Sequence, residues 1–330
     1  MELIKEIGKP SILLAPSGLS LAAGCEWLSA MKSDLRRALD TEGAVLIRGI
    51  PVRDEADFGR IRDVVIRQRA EYKEQATPRT SFGDDVYSST DFPADQRIML
   101  HNENSYTLSF PGSLLFGCLE SAEEGGATPV ADCRKVLRAI PADLVHRFRE
   151  AGWTLVRNYT DYYGLGWRKA FNTDDPDDVL RYCADNGIGA TWEEDGRLRT
   201  VQRRSALIRH PRLGDELWFN HVAFWNIWSL DEELRHGLLG FLTEDELPYN
   251  TFFGDGEPLK EQELNDLVAA YEAATVRETW QPGDVMLVDN LLAAHGRDPY
   301  RGKRRILVAM GEVIELQACA PTVAPLPGFG

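Results

Sequence analysis

Four short apolar runs set the tightest limit on what this chain can fold into. They are GAVLIRGIP at 43–51, SLLFGCLES at 113–121, VMLVD at 285–289 and RRILVAMGEVI at 304–314. Rich in branched residues and bounded by Gly, Pro or charge, they read as buried strands. Residues 122–284, between the second run and the third, mix helical patterns (RKVLRAIPADLVHRFREAG, a helix near 175–186, LKEQELNDLVAAYEAATV) with polar loops and short strands such as ALIRHP and LWFNHVAF. Short strands broken by insertions predict a mostly β fold, a sandwich or barrel with flanking helices. The N-terminal part is helical, with a further helix over 54–70. Residues 77–97 form an irregular loop, dense in Pro, Gly, Ser, Thr and Asp, and NLLAAHG follows the VMLVD strand. No linker divides the chain, so one domain spans 1–330 with an insertion about 135–250.

The formal net charge of −15 excludes a general nucleic-acid binder, which needs clustered Lys and Arg to meet phosphate. Five widely spaced cysteines without a CxxC pair fit reduced thiols better than a disulfide framework. No apolar run reaches membrane-spanning length, and MELIKEIGKPS lacks the basic and apolar regions of a secretory signal. The expectation is a cytoplasmic protein, of unknown oligomeric state.

The run IMLHNENSYTL at 98–108 ends in His101, Asn102, Glu103 and Asn104. On a strand His101 and Glu103, two apart, project to one face and can converge on one ion, with Asn102 pointing away. Two histidines with one carboxylate form the triad of non-haem Fe(II) oxygenases, so a second histidine must come from elsewhere. Of the six histidines, His146 and His236 lie in charged helices and His210 precedes a proline. His295, between a strand and a basic strand start, and His221, in the aromatic stretch WFNHVAFW, remain. Arg304 and Arg305 open the last strand, which would aim one guanidinium inward, and a buried guanidinium calls for a carboxylate partner.

These features join an ordered series: VYSSTDFP, HNENSY, GGATPVADCRKVL, GRLRTVQRRSALIRHP, LWFNHVAFW, WQPGDVMLVDN and HGRDPYRGKRRI. From GAVLIRGIP to RRILVAM the chain resembles the TauD/TfdA superfamily of Fe(II)- and 2-oxoglutarate-dependent oxygenases, in its SyrP-like branch of amino-acid hydroxylases from nonribosomal peptide pathways. The resemblance implies a double-stranded β-helix (jelly roll), with His101, Glu103 and His295 as iron ligands. It also implies Arg305 as partner of the distal 2-oxoglutarate carboxylate, with Thr128 in support. Fe(II), 2-oxoglutarate and O2 are the implied cofactors, with ascorbate as a stimulant. The implied reaction hydroxylates an unactivated carbon of a free or carrier-protein-tethered amino acid or similar small molecule. Desaturation or cyclisation could follow the same hydrogen abstraction.

Halogenases of this type lack the carboxylate ligand, so Glu103 disfavours chlorination. The sulfonate-binding arginine of taurine dioxygenase, four residues after the cosubstrate arginine, is replaced by Ala309. Relatives in the branch read WFNQ where this chain has WFNH, which draws attention to His221. Substrate contacts are expected from Arg79, Tyr87, Ser89, Asn104 and His221. Two other classes compete: a Zn(II) hydrolase on the same triad, which would not need a dicarboxylate-binding arginine, and a non-catalytic binding protein on the same fold.

Overall fold

The computed structural model describes residues 3–70, 74, 80–89, 92–160, 165–194 and 196–325. The main sheet has seven strands, in the spatial order Ser11–Leu14, Ala44–Arg48, Val285–Asp289, Ser109–Glu120, Arg305–Glu315, Val86–Ser88 and Ser81–Gly83. Only the first pair is parallel. A smaller antiparallel sheet runs Thr275–Val276, Val130–Asp132, Ala293–Arg297 and Ile98–His101.

Alternation along the strands explains how the layers meet. Leu114, Phe116 and Cys118 point inward together with Ile306, Val308 and Met310, and pack against Val130 and Ala293 of the smaller sheet. Leu115, Leu307 and Ala309 face the other way, into a layer with Leu28, Leu39, Phe58 and Ile61 from the N-terminal helices. Those helices span Leu21–Ala30, Lys32–Glu42 and Glu55–Val65. Gly117 shares that outer face, and a Cβ there would stand 2.4 Å from the Phe58 ring, so this close packing requires glycine. Two facing sheets with helices outside make the sandwich that the strand pattern predicts and the jelly roll that the resemblance implies; the sheets do not close into a barrel.

The insertion builds a third antiparallel sheet from Gly189–Trp192, Leu198–Arg204, Trp153–Tyr159 and Tyr249–Phe253. With helices Cys133–Ala139, Ala142–Ala151 and Glu261–Ala274 it covers the back of the smaller sheet. There Leu100, Ala131 and Ala294 share one core with Val136, Phe148, Trp153, Trp218 and Leu267.

Three local expectations are corrected. The stretch 77–97 is not wholly irregular: Ser81–Gly83 and Val86–Ser88 form a hairpin on the sheet edge. Its turn residues Asp84 and Asp85 both have positive φ, the twist a two-residue hairpin needs. The end of the NLLAAHG stretch is not a loop: it enters the strand Ala293–Arg297. The strand expected over LWFNHVAF stops at Trp218, and Val222–Trp225 is a helical turn entered through His221. Among the described residues no helix is long and apolar enough to cross a membrane.

Candidate active site

The smaller sheet sets the site. Strand Ile98–His101 pairs with strand Ala293–Arg297 so that His101 stands directly opposite His295, their ring centroids 4.6 Å apart. The pairing shifts register between His295 and Arg297. Gly296 lies at that shift, and a Cβ there would come within 2.5 Å of the Ile98 carbonyl oxygen. Only glycine lets the two histidine-bearing strands approach this closely.

Glu103 reaches the same spot by a different route from the predicted one. The strand ends at His101, and Glu103 sits in the turn that follows. Asn290, wholly buried, holds that turn. Its Oδ1 accepts from the Glu103 backbone N–H at 2.7 Å, and its Nδ2 donates to the carbonyls of Glu103 (3.0 Å) and Pro111 (2.7 Å). Asn102 faces away from the triad, yet it is part of this lock: its amide donates to the Asn290 carbonyl at 2.7 Å. Asn104 occupies the left-handed region, and its carbonyl accepts from the Thr107 hydroxyl at 2.8 Å.

His101, Glu103 and His295 are all buried, and each offers a donor atom within 4.8 Å of the others. Glu103 Oε2 lies 3.5 Å from His295 Nε2, near the roughly 3 Å that separates two ligands about 2.1 Å from one ion. His101 Nδ1 donates to the Met99 carbonyl at 2.7 Å, which fixes the tautomer and leaves Nε2 as the ligating nitrogen. The donor set therefore fits a divalent ion of the non-haem iron kind.

His221 stands beside this cluster. Its ring centroid is 4.7 Å from that of His101, and it stacks on Trp225 at 4.4 Å. Its Nδ1 is 2.6 Å from Ser105 Oγ. Burial first, then the neighbouring His101, push its pKa well below the ordinary histidine value, so the ring is neutral.

Arg304 lines a small cavity together with His101 and His295. It is largely buried, and donates through Nε to the Gly126 carbonyl (2.9 Å), and through its two Nη atoms to Ser89 Oγ and Thr128 Oγ1 (3.3 Å each). Among the described residues it has no carboxylate partner. Burial and then the nearby Arg297 cation lower its pKa to about 10. Trp280 Nε1 also donates to Thr128 Oγ1, at 3.1 Å. A small cavity lined by His101, Phe116, Thr128, His295 and Arg304 links this guanidinium to the triad. Beyond it, a cavity of about 420 Å³ opens past Ser89, Phe92, Tyr300 and Arg297. A larger cavity, about 1170 Å³, lies against Phe241 and Trp167 of the insertion and contains none of the triad.

The expectation for Arg305 is overturned. Its side chain is exposed, pairs with Glu55 and lies over the Phe82 ring, so it belongs to the helical layer. Parity explains this: Ile306, Val308 and Met310 face inward, and Arg304 shares their side, whereas Arg305 goes with Leu307 and Ala309. Counting four residues on from Arg304 gives Val308, so the sulfonate-binding arginine is missing under either count.

Ser89 and Thr128 lie beside Arg304, while Tyr87 packs at the edge of the inter-sheet core. Arg79 falls outside the described residues. His146 and His236 are exposed, and His210 is buried with Nε2 3.4 Å from Asp289. Sequence reasoning missed Asn290, Trp280 and Arg297; the polar Asp289–Asn290 pair ending an apolar strand was the available signal for the first.

Residues 5–310 match the family model described as "Taurine catabolism dioxygenase TauD, TfdA family". The dapdiamide synthesis protein DdaC of Enterobacter agglomerans is 35% identical over 303 residues, 92% of each chain. A clavaminate synthase-like protein of Arabidopsis thaliana is 30% identical over 315 residues, again 92% of each. Among solved structures, a taurine dioxygenase from Burkholderia xenovorans superposes with TM-score 0.55 at 12% identity, covering 100% of this chain and 95% of that one. AAD-2, in complex with Mn(II) and N-oxalylglycine, gives 0.52 at 13% identity, covering 98% and 100%. The chain therefore belongs to the TauD/TfdA family and is an iron- and 2-oxoglutarate-dependent dioxygenase.

Proposed function

We propose that this dioxygenase hydroxylates an unactivated carbon of an amino acid or similar small molecule, free or presented on a carrier protein, in natural-product biosynthesis. One observation carries the reading: the two histidines of a buried His/Glu/His donor set line the same small cavity as Arg304, a largely buried arginine without an acidic partner among the described residues. His101 Nε2, Glu103 and His295 hold Fe(II). Arg304, in place of Arg305, takes the distal carboxylate of 2-oxoglutarate. Thr128 Oγ1 already accepts from Trp280 and Arg304, so its own O–H remains to donate to that carboxylate. When bound, Fe(II) with 2-oxoglutarate and O2 would supply oxidising chemistry strong enough for an unactivated carbon, and the protein's part would be to bind and orient that carbon. The neutral His221, held by Ser105 and Trp225, gives a polar contact beside the ligands on the substrate side. The natural-product context rests on the relative named for dapdiamide synthesis.

The test is an aerobic panel of free and carrier-loaded amino acids with Fe(II) and 2-oxoglutarate, read by succinate release and product mass. The reading expects succinate formation coupled to addition of one oxygen atom to one panel member, and loss of both in His101→Ala. A product lacking two hydrogens would replace hydroxylation with desaturation or cyclisation. No succinate above the substrate-free rate with any member, in protein shown to bind Fe(II), contradicts the reading.

A further inference from the structure

Arg297 follows the ligand His295 by two residues and is almost wholly buried, 4% exposed. Its guanidinium makes no ion pair with a carboxylate among the described residues. Instead both Nη atoms donate to backbone carbonyls of one short segment: Phe92 (3.0 Å), Pro93 and Gln96 (2.9 Å). Its Nε is buried without a hydrogen-bond partner. The Tyr300 ring lies between two cations, its centroid 5.2 Å from the Arg297 guanidinium carbon and 5.6 Å from that of Arg304. Both arginines line the cavity that leads to the triad and the outer one beyond it.

A buried cation with no carboxylate in hydrogen-bond reach is costly unless something else requires the charge. Two neighbouring cations repel, and Arg297 is the second cause, after burial, of the lowered Arg304 value. A dianionic ligand between them relieves that repulsion. The planar fork also does what an ammonium cannot, bonding three carbonyls of one loop at fixed angles.

We propose that Arg297 is a positioning and selectivity residue of the cosubstrate pocket: it pins residues 92–96 as the pocket wall and adds the second positive charge that favours a dicarboxylate. This rests on the assignment of the pocket to 2-oxoglutarate, and the experiment separates the two. Binding of N-oxalylglycine to Mn(II)-loaded protein is measured for native, Arg297→Gln, Arg297→Lys and Arg304→Gln, with hydrogen exchange over residues 92–97 in the metal-free protein. Arg297→Gln should weaken binding roughly tenfold and accelerate exchange in the segment. Arg297→Lys keeps the charge without the fork, so it should accelerate exchange and weaken binding less than Gln does. If Arg297→Gln binds within twofold of native, or leaves exchange over 92–97 unchanged, the proposal is wrong. If Arg304→Gln also binds as native does, the cosubstrate assignment itself fails; if only Arg304→Gln loses binding, the assignment stands and the role of Arg297 falls.

Discussion

Replacing Asn290 by alanine tests how the metal site is built, because this side chain touches no ligand atom yet holds the turn bearing Glu103. The substitution removes three hydrogen bonds of 2.7 to 3.0 Å, and strands the Glu103 N–H and the Glu103 and Pro111 carbonyls in a buried place. At about 1 kcal/mol net per bond the loss is about 3 kcal/mol, rising towards ~5 kcal/mol if the stranded groups find no water. Urea unfolding of the metal-free protein should show that drop in the midpoint with an unchanged slope. A ligand oriented through its own backbone loses its aim when the turn loosens, so Fe(II) affinity should fall roughly 10- to 100-fold. The Asn102→Ala variant, which removes the amide bond to the Asn290 carbonyl, should show a smaller version of both effects. Native iron affinity in Asn290→Ala would refute the argument even if stability fell, since Glu103 would then be aimed by something other than this turn.

Gly296→Ala should be among the most damaging single-atom additions, since its Cβ would sit 2.5 Å from the Ile98 carbonyl. Forcing the histidine strands apart should cost about 1–3 kcal/mol in unfolding and abolish tight Fe(II) binding; wild-type metal titration would contradict it. His221 sets a pH dependence of known sign. Its folded pKa lies below the unfolded value of about 6.5, so the unfolded chain binds the extra proton and stability falls as pH drops below that value. Relative to His221→Gln, the native protein should lose up to about 1.4 kcal/mol more per pH unit below about pH 6.5; parallel curves would show that the ring is not buried neutral.

Much of this fold was legible because alternation along a strand is a local property. The runs at 43–51, 113–121, 285–289 and 304–314 all became strands of the main sheet. His101 and His295 were legible from residue type and order, but not as cross-strand partners, which depends on pairing 194 positions apart (295 − 101). Glu103 was found for a reason that did not hold: i and i+2 spacing brings ligands together on a strand, and here a turn does so. That Arg304 rather than Arg305 faces inward is legible in RRILVAM, from the parity of Ile306, Val308 and Met310. Trp280 and Arg297 act through partners far away in sequence, so no local pattern exposes them, and for Asn290 the one local signal is the polar pair that ends an apolar strand. The hairpin at 81–88 was hidden by turn-forming residues that look like loop until both aspartates are seen in left-handed conformation.

Anaerobic titration with Fe(II) and then 2-oxoglutarate, followed in the visible spectrum, tests the central claim that the triad and Arg304 form one cofactor site. The account predicts a weak charge-transfer band that saturates with 2-oxoglutarate and is absent in His295→Ala. The band should need roughly 10-fold or more 2-oxoglutarate in Arg304→Ala and be unchanged in Arg305→Ala. A band that titrates normally in Arg304→Ala, or no band in the native protein, would contradict it.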